Sequence, residues 1–252
     1  MIQTSLLDRS RLEALLIELS SAKFHSGEYN LAERLSYLIG VSGSIKLARS
    51  LNELPTSVEK NYKADGESLD DEVVKTCQEM ILTITSSFVE TEGNDDRDAQ
   101  LTLPSSNGLR LEALRVYTPY QRCYIAHQTE MALGLQVLRE RVRKNLAVTS
   151  IELHQLAKLD EILDEDLVVH TRRLFNVIPK LLEQRFHFLL QEHRQKQDKN
   201  RRDELDQWLL PDGWLTLFYN DMREMLLAEF DVRLQPILGL LEARNEQIEI
   251  LS

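Results

Sequence analysis

Apolar positions recur every three or four residues over most of the chain, the period of a helix with one buried face. Leu12, Leu15, Leu16 and Leu19 predict a first helix over about 5–23. Leu31, Leu35 and Leu38 predict a second over 30–39, stopped by Gly40. Ile45, Leu47, Ala48 and Leu51 predict a third, capped by Ser42 or Ser44 and closed off before Pro55. A polar stretch over 56–67 reads as a linker. A helix over about 68–90 follows, carrying Val73, Val74, Cys77, Met80, Ile81, Ile84 and Phe88. Its opening, Ser68-Leu69-Asp70-Asp71, supplies a capping hydroxyl and carboxylates suited to a helix N-terminus. Residues 91–110 contain GNDDRD and LPSSNG and read as a flexible loop.

Beyond residue 111 the pattern lengthens. Thr118-Pro119 opens a helix to about Ala147 on Tyr120, Tyr124, Met131, Leu135, Leu138, Val142 and Leu146, with one wider gap spanned by His127 and Gln128. Thr149-Ser150-Ile151-Glu152 reads as a capping box for the next helix, on Leu153, Leu156, Leu159, Ile162 and Leu163. Helical spacing resumes from Leu167 to about Gln195, and Pro179 should kink or break that stretch. Pro211-Asp212-Gly213 is a turn with Asp212 as cap. A last helix, Trp214 to about Asn245, should bend at Pro236. No stretch alternates with the period of a strand, and no repeat of fixed length occurs. The expected fold is all-α: short N-terminal helices plus long antiparallel helices forming a bundle. The expected division is a short-helix subdomain over 1–55, an acidic segment over 56–110 and a long-helix bundle over 111–252.

Charge adds a function class to exclude. The chain of 252 residues carries a net charge of −11. Residues 56–110 hold twelve acids against five bases, so most of the excess sits in the middle. A chain this acidic repels phosphate backbones over most of its surface. The two cysteines, Cys77 and Cys123, form no CxxC pair and fall on apolar faces, where unreactive reduced thiols are expected. The N-terminus lacks a cationic start followed by an apolar core, and no apolar run is long enough to span a bilayer. A cytoplasmic location is expected, without direct membrane insertion.

Motifs that carry chemistry are sparse. Glu-x-x-His pairs, a His-Glu-x-x-His zinc motif, a Gly-x-Ser-x-Gly elbow and a glycine loop for phosphate are absent from the sequence. Glu183 and His187 are four apart and could share a metal, although an ordinary helix-surface pair has the same spacing. The acidic run Asp160, Glu161, Asp164, Glu165 and Asp166 lacks the glycine and alternating oxygens of a calcium loop, and reads as a solvated face or a break between helices. The arginine-rich stretches 139–144 and 194–202 read as solvated surface. No catalytic residue, cofactor or metal site is expected.

Two features point to binding. Phe218, Met222, Met225, Leu226 and Phe230 form an aromatic and methionine stripe on the last helix that could serve as an adaptable partner surface, with a buried core stripe as the competing reading. Residues 31–52 suggest a helix-turn-helix, with Gly40-Val41-Ser42 as the turn and Lys46 and Arg49 facing phosphates. Against it, Gly43 interrupts the would-be recognition helix, and with three bases to one acid the segment is only weakly basic.

The runs YTPYQRCYIAHQTEMALGLQVLRERVRKNLA, LAKLDEILDEDL, IPKLLEQRFHFLL and FYNDMREMLLAEFDVRLQPILGLLEA, with LAERLSYLIGVSGSIKLARSLN near the start, resemble a bacterial family of unknown function. That resemblance implies no catalytic residues. It implies an association with MotA/TolQ-like and OmpA-like envelope proteins, whose genes lie near those of family members. The resulting expectation is a non-catalytic helical adaptor or assembly factor, a cytoplasmic accessory of an envelope motor-like complex. Its partners would be proteins, among them membrane-complex subunits, with a homo-oligomer left open. The alternative is a DNA-binding regulator that uses residues 31–52.

Overall fold

The structure, a computed structural model, describes residues 69–88, 114–196 and 205–251, together with Leu15, Pro55, Leu101 and Leu103. Six helices run through them: α1 (Leu69–Ser86), α2 (Thr118–Thr149), α3 (Ile151–Phe175), α4 (Ile178–Lys196), α5 (Leu205–Trp208) and α6 (Trp214–Leu251). No strand occurs among the described residues, so the fold is all-α. The helices expected at 5–23, 30–39 and 44–52 lie outside the described residues, apart from Leu15, which is helical.

The helix ends follow local chemistry. α1 begins with Asp70, Asp71 and Glu72 in its first turn, where carboxylates meet the positive end of the helix dipole. It stops short of the expected Glu90. Thr83, Thr85, Ser86 and Ser87 turn their hydroxyls back onto carbonyls of the preceding turn. Ser87 and Phe88 then bond three residues back rather than four, which tightens and closes the last turn. α2 and α3 are separated by Ser150 alone. Ser150 Oγ accepts the Leu153 amide at 3.2 Å, so the cap is Ser150. Thr149, the expected start of the capping box, ends α2 and bonds back to the Asn145 carbonyl. α3 runs unbroken through Asp160–Asp166, so of the two readings of that run, a helix face or a break, the break does not occur. The break falls at Asn176-Val177, just before Pro179, which has no N–H for the Phe175 carbonyl and whose ring would clash with it, while its place in the first turn of α4 is tolerated. Pro236 interrupts no helix: α6 continues through it to Leu251. Before α6, the Gly213 amide donates to the Leu210 carbonyl at 2.8 Å. A Cβ on Gly213 would sit 2.2 Å from the Trp208 carbonyl oxygen, so only glycine fits this turn.

The chain forms two compact units. Unit 1 draws on Met1–His25, Glu79–Met131 and Asn176–Asp231; unit 2 draws on Ser26–Gln78, Ala132–Phe175 and Val232–Ser252. In unit 1, Tyr117 and Tyr120 of the α2 end meet Phe218, while Tyr124 and Gln128, one and two turns later, meet Glu229. Numbers rise together, so α2 and α6 run parallel here. Phe186 packs on Phe218, and His193, two turns on, packs on Trp214, so α4 runs antiparallel to α6. The core of unit 1 is an aromatic cluster of Tyr117, Tyr120, Phe186, Trp208, Trp214 and Phe218. In unit 2, Arg139 and Arg143 of α2 both reach Asp160 and Asp164 of α3, residues on either side of Ser150, so the two helices fold back on each other as an antiparallel pair. Leu135, Leu138, Val142 and Leu146 line the buried side of α2. α3 buries little: between Ala157 and Phe175 it has no fully buried residue.

Candidate functional site

The stripe expected to meet a partner lies inside unit 1. Phe218, Met222, Met225, Leu226 and Phe230 are each at most 1% exposed. It is therefore core and not a docking face: α6 turns this side toward the aromatic rings of α2 and α4, where burial removes the most apolar area from water.

A polar side chain interrupts that stripe. Glu229 is fully buried. Its Oε2 accepts the Gln128 amide at 2.7 Å and the Tyr124 hydroxyl at 3.3 Å. Gln128 and His127 occupy the gap in the apolar steps of α2, and both are buried. The His127 Nε2 lies 3.0 Å from the Leu101 carbonyl, and the ring stacks on Phe88 at 6.5 Å between centroids. The Cys123 thiol points to the same carbonyl at 3.6 Å. Thus Leu101, from the stretch read as a flexible loop, is held against α2; most of 91–110 lies outside the described residues. Sequence reasoning missed Glu229, although a carboxylate three residues after Leu226 and one before Phe230 is a visible anomaly on an apolar face.

A buried, hydrogen-bonded carboxylate can orient neighbouring dipoles, but its polar partners are what make it costly to remove. Glu229→Leu is expected to destabilise the protein by about 2–3 kcal/mol, because the Gln128 and Tyr124 donors lose their acceptor. Combining it with Tyr124→Phe and Gln128→Leu should recover part of that loss, since these two donors are then removed together with their acceptor. Urea unfolding of the single and triple variants checks this; an equal or greater loss in the triple variant would contradict the network.

Burial governs titration here. It pushes the Cys123 thiol up to about 12 and raises Cys77 too, so both stay protonated near neutrality. Burial also lowers the His127 imidazole below 6.5, partly opposed by its bond to Leu101. The native ring is therefore neutral, and the unfolded chain takes up the proton first as pH falls. The stability that neutral His127 contributes is complete above about 6.5 and is lost as pH falls through its native value. His127→Gln should flatten the fall in Tm between about pH 7 and about pH 5, as scanning calorimetry would record; an unchanged slope counts against it.

Unit 2 holds the main charge cluster. Arg139 forks onto Asp160 through Nε at 2.8 Å and Nη2 at 2.5 Å, and reaches Asp164 through Nη1 at 2.7 Å. Arg143 donates Nε to Asp160 at 2.6 Å and Nη2 to Asp164 at 2.9 Å. These arginines are 15–16% exposed and Asp160 is 13% exposed, so these three side chains are not the solvated surface that their stretches suggested, whereas Glu140, Arg141, Lys144 and Glu165 are exposed. Burial alone would depress the Arg143 guanidinium, but the bonds and charges of Asp160 and Asp164 outweigh it and raise it. The paired charges leave the quartet internally neutral.

Glu183 and His187 are both exposed on α4. Among the described residues, no group of three or more His, Cys, Asp or Glu side chains is placed to hold a metal ion. No helix of the described residues is long and apolar enough to cross a membrane. The helix-turn-helix reading of residues 31–52, with Lys46 and Arg49, lies outside the described residues.

No curated protein and no solved structure matches the chain. The model of one family, described as a protein of unknown function (DUF3348), matches residues 1–246, as the resemblance in the helical runs foreshadowed, and the chain belongs to that family.

Proposed function

We propose that the protein is a non-catalytic helical adaptor that binds other proteins through the outer face of α2 in unit 2. The observation that carries this reading is a pair of apolar side chains one turn apart, Leu133 at 59% and Val137 at 68% exposure. Glu140, Arg141 and Lys144, all exposed, follow on the same face. Apolar centres rimmed by charge suit a helix that docks against a protein surface. The resemblance in the helical runs supports the finer proposal that the partner belongs to a membrane-associated, motor-like complex and that the adaptor works from the cytoplasm.

A photo-crosslinking residue at Val137, used in the native cell, tests the reading. A discrete protein adduct is expected, reduced at least about fivefold by Leu133→Asp, which at an exposed site should change stability by no more than about 0.5 kcal/mol. No adduct, or one indifferent to Leu133→Asp in a protein of unchanged Tm, would overturn this face as the binding surface.

A further inference from the structure

We draw no further inference here: the strongest candidate, the buried indole N–H of Trp214 beside Trp208 and His193 in unit 1, sits within the packed aromatic core already described, and no second feature there points to a ligand.

Discussion

Asp160→Ala is expected to destabilise the protein by about 2–4 kcal/mol, well beyond the value of an ordinary surface ion pair. Asp160 accepts hydrogen bonds from both Arg139 and Arg143, and all three side chains are at most 16% exposed. Removing it leaves two partly buried guanidinium groups with Asp164 as their shared carboxylate and, for Arg143, the backbone carbonyl of residue 160. The effect should concentrate on α3, because that helix has no fully buried residue between Ala157 and Phe175. Where apolar burial is thin, the ion pairs decide the docking. Hydrogen exchange should show faster opening of α3 than of α6 in this variant. A double-mutant cycle of Arg143→Ala with Asp160→Ala should give a coupling of about 1–3 kcal/mol. A loss under about 0.5 kcal/mol would place the quartet among the weak surface pairs and sink the argument.

The second large effect belongs to unit 1. Phe186 is fully buried, and its ring centroid lies 5.7 Å from Tyr117, 5.4 Å from Tyr120, 5.5 Å from Trp214 and 5.1 Å from Phe218. The contacts with Trp214 and Phe218 are edge-to-face, which adds quadrupole attraction to area burial. Phe186→Ala should therefore cost about 3–5 kcal/mol, from lost transfer energy and from the cavity left among rings that cannot collapse. Phe186→Leu should cost appreciably less, since it refills much of the volume. Urea unfolding gives the energies, and near-ultraviolet dichroism should lose part of the Trp214 signal in the alanine variant. Equal costs for the two variants would mean that volume at this position does not matter.

Both predictions rest on residues whose importance was unevenly visible in the sequence. Phe186 stands in plain helical register with Leu182, Leu189 and Leu190, so its burial was legible. Arg139, Arg143, Asp160 and Asp164 read as ordinary solvated charges, because like residues cover most helical surfaces. What marks them is complementarity across a hairpin: basic groups four apart on one helix and acidic groups four apart on the next, on either side of the turn at Ser150. The stripe of Phe218, Met222, Met225, Leu226 and Phe230 was equally well seen, but its face was open to either assignment. Periodicity locates an apolar side and is silent on whether another helix of the same chain covers it.

The sequence by itself determined the all-helical class, the long helices α2 and α6, the break near Pro179 and the turn before Trp214, because these depend on local spacing, capping and proline sterics. It also carried both halves of the buried polar knot, as a gap at His127 and Gln128 in one apolar pattern and an intruding Glu229 in another. Only the tertiary structure decided that the two belong together. Their contact joins residues 101 apart in the chain. It requires the unit 1 stretches of α2 and α6 to lie side by side, an arrangement that no local signal encodes. The same holds for Ser150, where the immediate reversal of the chain moved the cap by one residue, and for the outer face of α2. There Leu133 and Val137 remain exposed because helix packing covers only one side of a helix whose apolar residues run around more than one.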